Sequence, residues 1–262
     1  RRVTALRVAT VVKVYPSVIA VAGGLVLVGA VALDPGSLAG PLVLVLLAVA
    51  TILRRYAVAL SKYSYLSLIS FMGLAGSLLF GAVPVLVAMG GACFTADWVW
   101  LRKPWRAAAI NGGREVVALA AAYAVYVVMT RLGGLESHGL GLDLVPALVF
   151  FTVAYFVIGR ALFYFTLLVR AKLTEDERSL ILRYEVIAYF VAALSTATSL
   201  IAVATLEPRS WPFVAAMLLF GGWMGKRLLE EAIAAEERAK VLAVDVAVTA
   251  DLTLEDSLDR IS

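Results

Sequence analysis

Residues 144–169 read LVPALVFFTVAYFVIGRALFYFTLLV. The stretch carries a single charged residue, Arg160, and it exceeds the roughly 20 apolar residues that a helix needs to cross a bilayer. In lipid every backbone polar group needs a hydrogen-bond partner within the protein, so an isolated spanning segment of this kind is helical. The stretch therefore predicts a membrane helix with a buried arginine, and it decides the fold class of the chain.

The composition of the whole chain agrees with this segment. Of 262 residues, 62% are hydrophobic and 16% charged, against about 45–50% and 25% in soluble domains. These values exclude a disordered chain and leave no room for a complete soluble catalytic domain. We expect an all-α, polytopic membrane bundle that is part of a longer polypeptide. The predicted parts are a transmembrane domain over 1–224, a cytoplasmic connecting helix over 225–250 and the start of a further domain over 251–262.

Hydrophobic runs predict about eight transmembrane helices. The second, third and eighth runs are short, so the count is seven or eight. The last helix is expected to continue outward into the cytoplasm. The eight predicted spans are 15–33, 38–53, 65–80, 83–100, 107–129, 144–169, 184–205 and 211–224.

The chain has a net charge of +4, and the positions of its basic residues indicate the membrane topology. Basic residues collect at alternating span ends, as at Arg54, Arg55 and Lys62, whereas the opposite ends hold only Arg131 and Arg209. The positive-inside rule then predicts that both termini are cytoplasmic, in a bacterial inner membrane. Short basic groups between apolar runs indicate lipid, and not nucleic acid, as the partner.

Ionisable residues at membrane depth are costly and need a partner or a water-filled cavity. Counted along helices, Glu115 and Arg160 both lie about 12 to 15 Å from the basic side, whereas Glu185 is expected at shallower depth. We therefore expect Arg160 to pair with Glu115 or Asp97. The predicted intramembrane polar cluster consists of Asp97, Asn111, Arg114, Glu115, Arg160 and Glu185.

Three interpretations of this cluster stay open. The charges could be structural ion pairs between helices, which is the favoured interpretation. They could line a cavity in which Arg160 and Arg114 bind a small anionic or zwitterionic ligand. A proton relay is the third, although no chain of carboxylates crosses the membrane. Gly112 and Gly113 either permit close helix packing, which we favour, or open the helix to a ligand.

Recognisable catalytic groups are missing from the sequence. It contains no His-Glu-x-x-His zinc motif, Gly-x-Ser-x-Gly elbow or P-loop. The lone histidine, His138, is interpreted as a solvated loop residue, and Cys93 as a packing residue. We predict no enzymatic activity, no catalytic or metal-binding residues and no cofactor.

The last predicted helix carries two pairing signals. Gly221 and Gly225 form a small-xxx-small pair that favours helix association, in a homodimer or a larger membrane complex. Beyond them an apolar seam at alternating steps of four and three is typical of a short coiled coil, although docking on the chain's own loops is an equal alternative. A break in the helix is predicted at 250–253. The seam consists of Leu228, Ala232, Ala235, Ala239, Leu242 and Val246.

Two stretches resemble a known class of proteins. Residues 101–120, LRKPWRAAAINGGREVVALA, combine a basic loop with Pro104 and a helix start with Asn111. Over residues 65–130 the chain resembles the N-terminal multispan membrane domains of bacterial signalling proteins with HD or GGDEF output domains. Residues 251–262 are similar to the first helix of a GAF domain. The resemblance implies a sensor domain in front of cytoplasmic output domains.

The leading expectation is a sensor or anchor domain that relays a ligand or a membrane state through its last helix. The first alternative is a non-catalytic accessory subunit packed against a larger complex, such as a respiratory or photosynthetic assembly. The second alternative is a small-molecule transporter, which the lack of a visible internal repeat disfavours.

Overall fold

In a computed structural model, the described residues 2–59, 65–134, 142–169 and 175–259 form eight α-helices. The predicted all-α class is confirmed. The helices follow the hydrophobic runs, because only helices satisfy the backbone of an isolated apolar segment in lipid. They are α1 (Arg2–Leu33), α2 (Leu42–Arg55), α3 (Ile69–Phe80), α4 (Ala82–Thr95), α5 (Trp105–Leu132), α6 (Val145–Val169), α7 (Glu175–Thr205) and α8 (Trp211–Asp259).

Besides three short 3₁₀ turns, two other short elements separate helices among the described residues. A two-residue antiparallel pair joins Val58–Ala59 to Tyr65–Leu66, with Val58 opposite Leu66. Between α4 and α5 the chain adopts a π-helical turn, Ala96–Trp100, in which the Leu101 amide donates to the Ala96 carbonyl at 2.9 Å. Such turns contain one extra residue and often occur at functional sites.

Five helical segments are long and apolar enough to cross a membrane, so the chain is a membrane protein with several spans. Helix α2 has 14 residues and α3 has 12, which is short for a complete crossing. The five segments are Val14–Leu33, Ala82–Trp100, Trp105–Leu132, Val145–Phe165 and Arg178–Thr205.

Helix α4 occupies the core of the bundle. Within its apolar segment 56% of the residues are buried, against 11% in the segment of α1. Val85 and Met89 of α4 are fully buried and belong to one cluster with Leu119 of α5 and Phe151 and Tyr155 of α6. The packed centre therefore lies around α4, with buried residues also from α2, α3, α5 and α6. Both polar clusters described below lie on these helices and their neighbours.

Helices α1 and α5 meet backbone to backbone. A Cβ atom added to Gly23 would lie 2.2 Å from the Gly113 Cα, and one added to Gly113 would lie 2.7 Å from the Ile19 carbonyl oxygen. Helix α5 continues without interruption through Gly112 and Gly113. The prediction that these glycines serve close packing is confirmed, because small residues let membrane helices approach closely.

The chain divides into two compact units, residues 1–214 and 215–262. The second unit consists of the greater part of α8. The break predicted at 250–253 is wrong, since α8 continues to Asp259. Residues 250–253 contain neither glycine nor proline, so the Asp and Thr side chains there do not terminate the helix. Residues 260–262 lie outside the described residues.

Candidate functional site

Asp97 is the centre of the first polar cluster. It lies in the π-helical turn and is fully buried. Just beyond the turn, Arg102 adopts a positive φ of 50°, a conformation that is uncommon for residues other than glycine. This sharp turn lets the Lys103 amide donate to the Asp97 carbonyl oxygen at 2.9 Å. The backbone thereby places the Lys103 side chain beside the Asp97 carboxylate.

The Asp97 carboxylate accepts from three side chains. Arg54, at the end of α2, donates from Nε to Oδ1 at 3.1 Å and from Nη2 to Oδ2 at 3.2 Å. Oδ2 also accepts from Lys103 Nζ at 3.1 Å and from Asn111 Nδ2 at 2.5 Å. Two carboxylate oxygens can accept about four hydrogen bonds, so this carboxylate is saturated. We call Arg54, Asp97, Lys103 and Asn111 the Asp97 cluster.

Lys103 forms the outer edge of the Asp97 cluster. It lies between the apolar segments that end at Trp100 and begin at Trp105, with 23% of its side chain exposed. Burial lowers the pKa of its ammonium group, and the neighbouring Asp97 charge opposes part of that decrease. Lys103 is therefore bound to Asp97 less tightly than Arg54 is, and the Arg54 side chain is only 7% exposed.

The second polar cluster joins α6 and α7. Arg160 of α6 donates from Nη1 to Glu185 Oε1 of α7, forming an ion pair in which 2% of the Glu185 side chain is exposed. Tyr164 donates to Glu185 Oε2 at 3.4 Å. The expectation that Arg160 pairs with Glu115 or Asp97 is wrong, and Glu185 takes that place.

Their positions along the helices put Glu185 within reach of Arg160. It lies ten residues after the first residue of α7, and Arg160 lies nine residues before the last residue of α6. At 1.5 Å per residue both are about 14 to 15 Å from the adjacent ends of their helices. Glu185 was expected to be shallower because its depth was measured from the start of the hydrophobic run at residue 184. The helix itself begins earlier, at Glu175.

Helix α5 brings two further charges to the same level. Glu115 Oε2 accepts from the Tyr155 hydroxyl of α6 at 3.2 Å. The Arg114 guanidinium lies 4.8 Å from the ring centroid of Phe163, and Arg160 lies 5.3 Å from the same centroid. The described part of the chain gives Arg114 no ion pair. We call Arg114, Glu115, Tyr155, Arg160, Phe163 and Glu185 the Arg160 cluster.

Sequence reasoning identified Asp97, Asn111 and the four charged residues of the Arg160 cluster, but it missed the cationic partners Arg54 and Lys103 and the aromatic partners. It assigned Arg54 to the topology signal. Arg54 and Asp97 were nevertheless both predicted at basic span ends, and this shared side is a signal that could have paired them. No pattern in the sequence distinguishes the tyrosines that donate to carboxylates from those that only pack.

The other candidate residues lie elsewhere. Gly221 and Gly225 on α8 are exposed, and a Cβ added to either would meet no atom within 4 Å. Cys93 is fully buried, which agrees with its interpretation as a packing residue. His138 lies outside the described residues. Among the residues that the structure describes, no three His, Cys, Asp or Glu side chains are grouped as a metal site.

Comparison with known proteins gives no relative: no protein-family model matches the chain, and no curated protein or solved structure matches it significantly. The geometry of the chain itself therefore carries the interpretation. It defines a class, that of multispan α-helical membrane proteins with two clusters of buried charges. In one cluster the carboxylate is saturated by hydrogen bonds. In the other, an arginine packs on an aromatic ring and has no ion pair among the described residues.

Proposed function

We propose that the chain is the membrane sensor or anchor domain of a bacterial signalling protein. The observation that supports this proposal most directly is the Arg160–Glu185 ion pair, which joins α6 to α7 at membrane depth. Charged groups at such depth are expensive and are commonly associated with function. The proposed role is non-catalytic, because neither cluster combines a nucleophile with a base in a recognisable arrangement.

The proposed topology has eight spans with both termini in the cytoplasm. The eight helices provide the elements, and the concentration of Lys and Arg at alternating ends supplies the direction. In this arrangement α2, α3 and the apolar part of α8 are short spans, and both polar clusters lie in the cytoplasmic half. The proposed location is the inner membrane of a bacterium.

The proposed signal is a change in the pairing of α6 with α7. A ligand or membrane state that binds one arrangement of Arg160 and Glu185 more tightly than another shifts the population of the two arrangements. Helix α7 ends at Thr205 and α8 begins at Trp211, so only a short connection, which includes the turn Pro208–Ser210, separates them. In the proposal this bias reaches cytoplasmic domains through α8.

Hydrogen exchange of α8 tests the proposal. The chain is placed in lipid nanodiscs, and exchange of the backbone amides over residues 226–246 is compared among the wild type, Arg160→Leu and Arg160→Lys. Coupling between sites is typically worth 1 to 3 kcal/mol, so we expect Arg160→Leu to change protection in α8 about fivefold or more. Arg160→Lys, which keeps the charge, should change it less.

Arg106→Gln is the matched control, because Arg106 is exposed on α5 and belongs neither to a polar cluster nor to the connection between α7 and α8. Exchange in α8 that is the same in the wild type and in both Arg160 variants would contradict the sensor proposal. Stable co-purification with a larger membrane complex, together with that result, would favour the accessory subunit. Uptake of a solute by liposomes that contain the chain would favour the transporter.

A further inference from the structure

Arg114 has an unusual environment for a charged residue at membrane depth. It lies nine residues after the start of α5, about 14 Å along the helix, and its side chain is partly buried. Its guanidinium packs on Phe163, 4.8 Å from the ring centroid. In the described part of the chain no carboxylate lies within ion-pair distance of it and no side chain accepts its hydrogen bonds.

The nearby carboxylates are engaged elsewhere. Glu185 is bound to Arg160 and Tyr164, and Glu115 accepts from Tyr155. Glu115 and Arg160 act on Arg114 through space with opposite signs, so their effects partly cancel. A guanidinium offers five N–H donors, and leaving them without acceptors in a buried place is unfavourable.

The Phe163 ring brings Arg114 and Arg160 together. One ring contacts two guanidinium groups, those of Arg114 from α5 and Arg160 from α6. Each guanidinium presents donors in a plane that matches the oxygens of phosphate or carboxylate. Arg160 has a buried Nε that lacks a hydrogen-bond partner. Two arginines with unused donors thus share one aromatic support.

Helix α1 packs against α6 close to the two arginines. Tyr15 donates to the Leu162 carbonyl oxygen at 2.7 Å, and its ring lies 4.7 Å from that of Phe165. These contacts hold α1 against the end of α6, and Tyr15 is near enough to Arg114 to interact with its charge. Helices α1 and α6 therefore both lie near Arg114 of α5.

We propose that Arg114 and Arg160, which both pack on Phe163, bind one phosphate or carboxylate group. This inference rests on the proposed sensor function and names the chemical class of its ligand. Binding supplies Arg114 with the acceptor that it lacks and gives the Arg160 Nε a partner, so Arg160 is shared between the anion and Glu185. The group can belong to a lipid headgroup or to a soluble anion, since the donors recognise the same oxygens in both.

Thermal unfolding with three probes tests the inference on the whole chain. The soluble arm titrates inorganic phosphate, and separately acetate, into protein in phosphatidylcholine nanodiscs. The lipid arm compares nanodiscs of phosphatidylcholine alone with nanodiscs that also contain phosphatidylglycerol. A ligand at a hundredfold excess over its Kd should raise the wild-type Tm by about 5 to 10 °C.

Arg114→Gln should lose this increase, and Arg114→Lys should keep a smaller part of it, because a lysine supplies charge without the planar pair of donors. The matched control is Arg106→Gln, since Arg106 is exposed at the second residue of the same helix and should retain the full increase. If Arg114→Gln does not fold, Arg114→Lys and the wild-type titrations decide.

An increase with phosphatidylglycerol alone assigns the site to a lipid headgroup, and an increase with phosphate or acetate assigns it to a soluble anion. No increase for the wild type with any probe, or an equal increase in Arg114→Gln, overturns the inference. Exchange of α8 separates it from the proposed function. Anion binding with unchanged exchange in α8 supports the anion site and contradicts the sensor role. Changed exchange in Arg160→Leu without anion binding supports the sensor role and contradicts the anion site.

Discussion

The Asp97 cluster and the Arg160 cluster both combine arginine with carboxylate groups but differ in how far their hydrogen bonds are satisfied. Asp97 is one carboxylate with donors from three residues of different parts of the bundle. The Arg160 cluster has two arginines and two glutamates, yet its described contacts contain one ion pair, Arg160 with Glu185. Arg114 and Glu115 have aromatic and phenolic neighbours instead.

Under the proposal, this difference separates a structural role of the Asp97 cluster from a ligand-binding role of the Arg160 cluster. Replacing a saturated acceptor removes several interactions at once and leaves buried cations without a counter-charge. An incompletely paired cluster has alternative arrangements of similar energy, which is the condition for a ligand to shift a population. The number of donors for each carboxylate thus distinguishes the two clusters better than their charge does.

The largest effect is expected for a substitution that breaks the Asp97 cluster. Asp97→Ala removes the acceptor of Arg54, whose side chain is 7% exposed, and of Lys103. Breaking a buried pair on one side costs about 3 to 5 kcal/mol, and we expect a loss of that order in the free energy of unfolding. Denaturant titration in mixed micelles measures it. Asp143→Ala, at an exposed position, is the control and should change little; equal losses in both variants would contradict the structural role.

A smaller effect is expected where α1 crosses α5, next to the Arg160 cluster. Gly23→Ala forces a Cβ onto the Gly113 backbone, which cannot move as a side chain can. Overpacking costs about 1 to 3 kcal/mol. The same titration should show this loss for Gly23→Ala, and the anion-dependent increase in Tm should shrink because Arg114 follows Gly113.

Gly24→Ala is the matched control for this substitution. A Cβ added to Gly24 meets no atom within 4 Å, so the variant should unfold like the wild type. Equal behaviour of the two alanine variants would show that the close crossing of α1 and α5 does not form.

The smallest expected effect concerns pH and the edge of the Asp97 cluster. Burial lowers the pKa of Lys103 in the folded chain, so between that pKa and the unfolded value of about 10.4 the unfolded chain binds more protons. The contribution of Lys103 to stability therefore rises with pH in this interval. The Tm difference between the wild type and Lys103→Gln should grow in favour of the wild type as pH rises above neutrality. A difference that stays constant up to pH ~10 would contradict the lowered pKa.

The sequence predicted the helices better than their contacts. Hydrophobic length alone located all eight helical elements, because an apolar run in lipid has few alternatives to a helix. Whether α2 and α3 complete a crossing depends on their depth in the bilayer, which length does not determine. The continuation of α8 through 250–253 was missed because residues typical of helix starts, such as Thr253, also tolerate a helix interior.

The sequence predicted most of the charged residues of the candidate site but not which of them pair with each other. Sequence reasoning identified Arg160 and Glu185 as costly residues but placed Glu185 too shallow, since charged residues before a hydrophobic run can belong to the same helix. Arg54 was missed because a basic residue at a span end serves topology and ion pairing equally well. Pairing requires the rotation of each helix about its axis, and that rotation is set by packing contacts such as Gly23 with Gly113.

The crossing of Gly23 and Gly113 also offers a way to recognise relatives of this chain. Where two backbones touch, no compensating substitution nearby can make room for a side chain, so the two positions tolerate change only together with a new helix arrangement. The charged residues can diverge as a ligand changes, whereas this pair stays fixed as long as the bundle does. In distant homologues two glycines at the equivalent depth of the first and fifth helices should therefore be an alignment anchor when the polar residues no longer correspond.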